Sequence, residues 1–236
     1  MQIVVLTTGA IRRRYFVEKI QAQFEIAQVL IETRDPPPPY PTAHPLDKAR
    51  KVHERDHWYG GNPPAFDSIA KVKSFEDLND PAAIAELRNL KPDILLVYGT
   101  GRLSKTVIDQ CPGGSANFHN GDPEDYRGLD CHLWPLFHRD FNALRMTMHK
   151  IEPELDTGDI IDRRPVSLQR NMPLSHLRQA ATELTIDIAI DAINDFKNNG
   201  YFSSTTQVRT GRYYSYMPAQ LKNICIQKFE RYTSML

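Results

Sequence analysis

The chain has 236 residues, with 29 lysines and arginines balanced by 29 aspartates and glutamates, and 41% of its residues are hydrophobic. A chain of this length buries about 70–75% of its unfolded surface on folding, so one domain needs neither a disulfide nor a metal to stabilise it. Zero net charge disfavours a protein that binds nucleic acid, because such binding depends on an excess of basic residues.

Membrane and secretory features are missing from the sequence pattern. No apolar run approaches the roughly 18 residues that span a bilayer. The start of the chain, MQIVVLTTG, has no basic region or cleavage site and is typical of a strand. The three cysteines (Cys111, Cys131 and Cys225) show no C-x-x-C spacing, which disfavours a disulfide framework or a zinc ribbon. We therefore expect a cytoplasmic protein with no membrane partner.

The first predicted elements follow an α/β pattern. Residues 2–6 form a continuous apolar run typical of a buried strand, residues 11–24 have a helical period, and residues 26–31 predict a second strand. A strand–helix–strand order favours a parallel sheet. Residues 35–64 then hold eight of the seventeen prolines and are predicted to be an irregular loop, with the tip HWYGG suited to closing over a ligand or to an excursion without a role.

Regular elements resume at Asp80-Pro81, which predicts a helix as far as about residue 90. Strands are predicted over 94–98, 115–119, 144–151 and 160–168, and a long amphipathic helix over 173–199 stops at Gly200. We expect residues 1–200 to form one domain and residues 201–236 a tail with a hairpin at Gly211 and a helix from Pro218. The tyrosines of this tail suit either a homodimer surface or packing against the domain itself.

Three polar residues combine an amide, an imidazole and a carboxylate. Asn117 and His119 are two apart on a predicted strand and so point to one face, near the strand end where α/β folds bind ligands. Asp156 lies in a turn that leads into a later strand. For acyl transfer to an amine, the imidazole takes up a proton, the carboxylate orients it and the amide stabilises the developing oxyanion. The Asn-x-His spacing by itself is more typical of a structural pair than of a catalytic one.

The wider pattern resembles the folate-dependent formyltransferase family, which includes glycinamide-ribonucleotide, methionyl-tRNA and nucleotide-sugar formyltransferases. The signature of that family runs Asn-x-His, aromatic-x-Gly and Asp-x-Gly. Here these motifs are Asn117-Phe118-His119, Tyr126-Arg127-Gly128 and Asp156-Thr157-Gly158. The segment VYGTGRLS at 97–104 is similar to the strand and turn that line the pterin in the family. The resemblance covers residues 1–168 and is strongest over 91–161.

The resemblance implies a Rossmann-like formyltransferase fold, a mostly parallel sheet flanked by helices with a short C-terminal appendage. It also implies 10-formyltetrahydrofolate as the donor, direct attack of a substrate amine, and no metal. Asn117, His119 and Asp156 would be catalytic. The folate would contact Thr100, Gly101, Arg102, Leu103, Glu152 and Leu155, and the acceptor would contact Arg12, Tyr126, Arg127 and Gly128.

Two features bear on the acceptor. Residues 121–124, Gly-Asp-Pro-Glu, stand where the family usually has Ser-Leu-Leu-Pro, which puts the acceptor identity in question. The chain is too short for the C-terminal barrel of the tRNA enzymes, and its first turn is poorer in glycine and serine than that of the purine-pathway enzyme. A nucleotide-linked 4-amino-4,6-dideoxy sugar for surface polysaccharide (O-antigen, lipopolysaccharide) fits best, with hydroxyornithine or glycinamide ribonucleotide as alternatives.

Other classes of function fit the residues less well. A formyltetrahydrofolate hydrolase or a non-catalytic binding protein would share the fold. A metallohydrolase would draw on His119, Asp122, His132, His138 and His149, but no two of these histidines have H-x-H or H-x-x-x-H spacing. A nicotinamide-binding protein is disfavoured because the turn after the first strand lacks G-x-G-x-x-G.

Overall fold

A seven-stranded sheet forms the centre of the protein. The computed structural model describes every residue from Met1 to Leu236. The strands lie in the order β3-β2-β1-β4-β5-β7-β8. Their bounds are β1 Ile3–Thr8, β2 Ile26–Glu32, β3 Val72–Phe75, β4 Ile94–Tyr98, β5 Ser115–His119, β7 Arg145–Lys150 and β8 Ile160–Pro165, with β6 (Tyr126–Gly128) lying outside this sheet.

The first five strands of this order are parallel, and β7 and β8 continue the sheet in antiparallel fashion. The central strands are apolar throughout because helices cover both faces of the sheet. The helices are α1 Ile11–Gln21, α2 Pro45–Tyr59, α3 Pro81–Leu90, α4 Lys105–Ile108, α5 Trp134–His138, α6 Leu174–Asn199 and α7 Ala219–Thr233. The predicted fold class, a mostly parallel α/β sheet flanked by helices, is confirmed.

Each face of the sheet has its own apolar core. On one face, side chains of α1, α6 and α7 such as Phe16, Ile188 and Phe229 pack on the sheet. On the other face, Leu87 of α3 and Val107 of α4 cover the strands. No helix combines the length and the apolar character needed to cross a membrane.

The helix α2 occupies half of the segment that was predicted to be an irregular loop, so that prediction was wrong over Pro45–Tyr59. The His44 imidazole accepts a hydrogen bond from the Leu46 amide, and the His44 amide donates to Asp47, which together cap the helix. Pro45 stands at the first helical position, where a proline is favourable. Gly60 ends the helix in a left-handed conformation.

The C-terminal tail is joined to the domain by backbone pairing. Residues 212–214 form β9, which pairs in parallel with β6, so the expected hairpin at Gly211 is wrong. The expected helix is present as α7, and its Cys225 and Phe229 are buried in the core. A division of the chain at residue 200 and a dimerisation role for the tail stay predictions.

Candidate active site

Four polar side chains meet at the C-terminal end of β5. Asn117 and His119 point to the same side of this strand, and His149 of the antiparallel neighbour β7 lies directly opposite Asn117. Asp156, in the loop between β7 and β8, completes what we call the catalytic cluster: Asn117, His119, His149 and Asp156. The Asp156 carboxylate lies 3.5 Å from His119 Nδ1 and 3.4 Å from His149 Nε2.

Carbonyl groups fix the orientation of both imidazoles. His119 Nε2 is 2.7 Å from the Tyr126 oxygen, and His149 Nδ1 is 2.7 Å from the Lys150 oxygen. Because a carbonyl oxygen only accepts, each of these nitrogens carries the hydrogen. The remaining ring nitrogens both face Asp156, and His149 Nε2 also accepts from Asn117 Nδ2 at 3.1 Å. A proton taken up at either nitrogen would therefore bridge to the carboxylate.

The Asp156 carboxylate is only 5% exposed. Burial alone would raise its pKa, but the combined influence of His119, His149 and the Gly128 amide outweighs burial and holds the pKa well below its ordinary value. Asp156 is thus charged at neutral pH and ready to stabilise positive charge on either imidazole.

The Tyr-Arg-Gly motif holds the Asp156 loop in place. The Gly128 amide donates to Asp156 Oδ2 at 2.8 Å. Arg127 bridges two backbone oxygens, donating to Gly211 at 2.9 Å and to Leu155 at 3.2 Å. Gly128 has a φ of +97°, and a Cβ there would collide with the Tyr214 carbonyl oxygen, so only glycine fits. This motif therefore positions the Asp156 carboxylate.

The Tyr126 side chain points away from the catalytic cluster. It stacks on Tyr214 with ring centroids 5.4 Å apart, and its hydroxyl donates to Asp140 at 3.1 Å. Burial and the nearby Asp140 carboxylate raise its pKa above the ordinary value. What Tyr126 contributes to the catalytic cluster is its backbone oxygen, which holds His119.

The unusual loop Gly121–Glu124 has a structural explanation. Asp122 and Glu124 are buried, and both accept hydrogen bonds from Arg163 of β8, at 2.8 and 2.7 Å. Glu124 also accepts from the Val208 amide at 2.7 Å. The two acids therefore tie the loop to the sheet edge and to the tail.

The segments expected to contact the folate lie next to each other. The Arg102 guanidinium donates twice to the Pro153 oxygen, at 3.0 and 2.5 Å, and so joins the two loops. Thr100 is half-buried, Gly101 and Glu152 are exposed, and Leu155 is 36% exposed beside Asp156. Leu103 is buried in the core and contributes no exposed side chain. Leu155 thus presents an exposed apolar side chain beside the catalytic cluster, which suits one face of a flat pterin ring.

The remaining sequence candidates are not members of the catalytic cluster. Arg12 is in the first turn of α1, with its guanidinium 5.8 Å from the ring centre of Tyr98 on β4. His132 and His138 stand apart from the catalytic cluster, with His138 Nε2 3.2 Å from the Tyr214 hydroxyl. No group of three or more histidine, cysteine or acidic side chains is arranged to hold a metal ion.

Sequence reasoning named His149 only as a metal candidate and missed its contacts with Asn117 and Asp156. The available signal was the alternation of β7, which places His149 and Thr147 on the face opposite Met146 and Met148. The strand pairing that aligns His149 with Asn117 is not written in the local sequence.

Residues 47–193 match the family model described as formyl transferase, and this match covers more than half of the chain. The chain belongs to the formyl transferase family. A methionyl-tRNA formyltransferase from Akkermansia muciniphila is 29% identical over 140 residues, which cover 57% of this chain and 44% of that protein. The chain thus spans less than half the length of this curated relative.

Solved formyl transferase structures share the fold. A 4-N formyltransferase from Francisella tularensis superposes with a TM-score of 0.63 at 15% identity, over 90% of this chain and 76% of that one. A formyltransferase from Anoxybacillus kamchatkensis, solved with UDP-4,6-dideoxy-4-formamido-L-AltNAc and tetrahydrofolate, superposes with a TM-score of 0.56 at 18% identity, over 91% of this chain and 86% of that one. Identities this low establish the architecture alone.

Proposed function

We propose that this chain is an N-formyltransferase that moves a formyl group from 10-formyltetrahydrofolate to the amine of a nucleotide-linked amino sugar. The observation that carries the proposal is the buried, charged Asp156 carboxylate between His119 Nδ1 and His149 Nε2, the two imidazole nitrogens that carry no hydrogen. Family membership supports formyl transfer as the reaction.

The chemistry needs little more than this cluster. A bond forms between the acceptor nitrogen and the formyl carbon, the bond from that carbon to the folate nitrogen breaks, and one proton passes from the acceptor amine to the folate nitrogen. The folate supplies an already activated formyl group, so no serine or cysteine nucleophile is required. His119 takes the amine proton at Nδ1, the ring nitrogen that faces Asp156, and the half-buried Asn117 amide donates to the oxygen on which negative charge develops.

The donor would lie between the loops at 100–103 and 152–156. Arg102 holds these loops together through Pro153, and the exposed Leu155 side chain would cover one face of the pterin. The tetrahydrofolate bound to the Anoxybacillus kamchatkensis enzyme supports a folate donor for this chain.

A nucleotide sugar as acceptor has support from the structural relatives, one of which was solved with a UDP-linked formamido sugar. Arg12 at the start of α1 would contact the diphosphate, and the backbone of 126–128 would border the acceptor amine. The curated relatives are methionyl-tRNA formyltransferases, so a charged tRNA belongs among the acceptors to be tested.

The test is formyl transfer from 10-formyltetrahydrofolate to a panel of amines, read by mass as the gain of one carbonyl group. The panel contains GDP- and dTDP-linked 4-amino sugars, UDP-linked amino sugars, hydroxyornithine, glycinamide ribonucleotide and methionyl-tRNA. The matched variants are His119→Ala in the catalytic cluster and His57→Ala on the exposed surface of α2.

We expect one sugar nucleotide to be formylated by the wild type and by His57→Ala, and at least about 100-fold more slowly by His119→Ala. Formylation of methionyl-tRNA, or of a small amine other than a sugar nucleotide, would support formyl transfer as the reaction but contradict a nucleotide sugar as the acceptor. Release of tetrahydrofolate with no formylated amine would instead identify a hydrolase, and untouched folate would contradict the proposed reaction.

A further inference from the structure

A second polar group lies beside the catalytic cluster, and four arginines form it. Arg12 and Arg13 come from the first turn of α1, Arg50 from α2, and Arg178 from α6. We call these residues the arginine cluster. Their charges influence one another, since Arg12, Arg13 and Arg50 each have a lowered pKa to which a neighbouring arginine of the cluster contributes after burial.

One arginine of the cluster has a good partner and the others do not. Arg178 forms a bidentate pair with Glu54, at 2.5 and 3.0 Å. Arg13 is 6% exposed, and its Nε and Nη1 atoms have no hydrogen-bond partner. Arg50 is 2% exposed, its Nε and Nη2 atoms also lack a partner, and its Nη1 is 3.6 Å from the nearest carboxylate, that of Asp47.

Unpaired buried guanidinium groups are unfavourable, because they have lost water without gaining an acceptor. Burial first, and then the neighbouring arginines, lower the pKa of Arg13 to about 9 and that of Arg50 to about 10. Both groups still carry their charge at neutral pH. The fold thus maintains a concentration of positive charge that its own side chains do not neutralise.

The acidic groups around the cluster have other partners. Glu54 is paired with Arg178, Asp47 accepts from Lys222 at 2.8 Å, and Asp130 accepts from the Met217 amide at 2.9 Å. The half-buried His132 also faces the cluster, and the burial of its imidazole together with Arg50, Arg178 and Arg12 holds its pKa well below the ordinary value. His132 is therefore neutral, and its Nε2 atom has no partner.

The cluster is close to the reacting groups. The Arg13 guanidinium stacks on the Tyr98 ring at 3.9 Å and packs against Gly99, where a Cβ would collide with it. Tyr98 ends β4, the strand that pairs Val97 with Asn117. On the other side, the residue before His132 is Cys131, which packs against Gly121 in the loop that follows His119.

We propose that the arginine cluster binds an oxyanion of the acceptor substrate and so holds its amine at the catalytic cluster. This inference deepens the proposed function and rests on it. Guanidinium groups suit phosphate and carboxylate oxygens because their planar N–H groups donate two parallel hydrogen bonds. The unpartnered donors belong to Arg13 of α1 and Arg50 of α2, and the charge of Arg12 acts on both of these arginines.

A binding measurement without folate tests the inference. Thermal unfolding of the wild type is followed in sodium pyrophosphate, sodium phosphate or sodium malonate, each against sodium chloride of equal ionic strength. We expect pyrophosphate or malonate to raise the melting temperature by about 3–6 °C at ten times its dissociation constant. A larger shift with pyrophosphate would indicate a diphosphate, and a larger shift with malonate a carboxylated acceptor.

Variants locate the effect. Arg50→Met should lose the anion-dependent shift while keeping or raising the melting temperature in chloride, because it removes an unpaired buried charge. Arg13→Lys keeps the charge without the guanidinium fork and should lose most of the shift. Arg55→Met, on the exposed side of the same helix, should retain the full shift. An equal shift in Arg50→Met and Arg55→Met, or no shift in the wild type with any anion, would overturn the inference.

The kinetic consequence separates this inference from the proposed function. With the acceptor found by the panel, Arg50→Met should raise KM by about 30-fold or more while changing kcat much less. An anion-dependent shift without formyl transfer would retain the oxyanion site and reject the reaction. Formyl transfer with an unchanged KM in Arg50→Met would retain the reaction and reject the oxyanion site.

Discussion

The catalytic cluster and the arginine cluster are neighbours, but they differ in whether their polar groups have hydrogen-bond partners within the protein. In the catalytic cluster, each imidazole is held by a carbonyl and faces Asp156, which itself accepts from the Gly128 amide. In the arginine cluster, Arg13 and Arg50 are buried without acceptors. The first arrangement is preorganised for proton transfer before any ligand arrives, whereas the second is completed only by a ligand.

This difference separates two roles in one site. Groups that act on the reacting atoms benefit from fixed geometry, because the cost of ordering them is met during folding. Groups that recognise a charged substrate benefit from remaining unpaired, because an internal acceptor would compete with the substrate. Changes in the catalytic cluster should therefore affect turnover, and changes in the arginine cluster should affect substrate affinity.

The largest expected effect is on turnover. Asp156→Asn keeps the shape of the side chain, an oxygen for the Gly128 amide and a residue type that tolerates the positive φ of 56°. It removes the charge that stabilises protonated His119 and His149, so kcat should fall by at least about 100-fold. Steady-state kinetics with Asp159→Asn, a half-exposed acid of the same loop, provide the control. A fall of less than threefold in Asp156→Asn would remove the carboxylate from the mechanism.

Gly128→Ala should destabilise the fold through the Tyr214 carbonyl oxygen that a Cβ would meet. Gly113→Ala is its matched control, since Gly113 also has a positive φ, of 80°, but nothing within 4 Å of an added Cβ. Both variants pay about 1 kcal/mol for the backbone conformation, and Gly128→Ala should lose a further ~1–3 kcal/mol from overpacking. Urea unfolding measures the stability of both variants. An equal loss of stability in Gly128→Ala and Gly113→Ala would mean that Tyr214 moves away from the added Cβ at no cost in free energy.

Arg127→Ala should lower kcat by about tenfold, because the Asp156 loop loses the link through Leu155 and through Gly211 of the tail. Arg212→Ala, an exposed change in the adjacent strand β9, should be without effect. Since Arg127 acts by positioning Asp156 beside the imidazoles, Arg127→Ala should also shift the low-pH limb of the pH–rate profile. A raised KM with unchanged kcat would assign Arg127 to substrate binding instead.

The smallest effect is the pH dependence of stability. The folded pKa of Asp156 is held below its unfolded value of about 3.9, so the carboxylate stabilises the fold fully above that value. The stabilisation is lost as the pH falls through the folded pKa. The difference in unfolding free energy between wild type and Asp156→Asn should therefore be larger at pH 5 than at pH 3. A difference that grows toward pH 3 would contradict the lowered pKa.

Most of the sheet and the three motif residues of the catalytic cluster could be predicted from the sequence. Apolar runs such as residues 94–98 are buried strands, and the two-residue period aligned Asn117 with His119 as expected. These features are local, and local patterns are what periodicity and spacing record. The family resemblance then pointed to Asp156, and the family match confirmed the family, while the role of Asp156 stays a prediction.

What the sequence concealed depends on long-range contacts or on misleading local signals. Prolines around residues 36–45 favoured a loop, although Pro45 is favourable as the first residue of α2. His149 reaches Asn117 only through antiparallel pairing with β5. The charges of Arg12, Arg50 and Arg178 influence one another because α1, α2 and α6 pack together, and nothing in their spacing along the chain indicates this.

The central claim is that the catalytic cluster couples loss of the formyl group from the folate to its arrival on an amine. The most direct measurement is the ratio of formylated amine to tetrahydrofolate in one reaction, for the wild type and for His119→Ala. We predict a ratio of one in the wild type and a loss of both products in His119→Ala. Tetrahydrofolate produced without a matching amount of formylated amine, or undiminished by His119→Ala, would contradict the account.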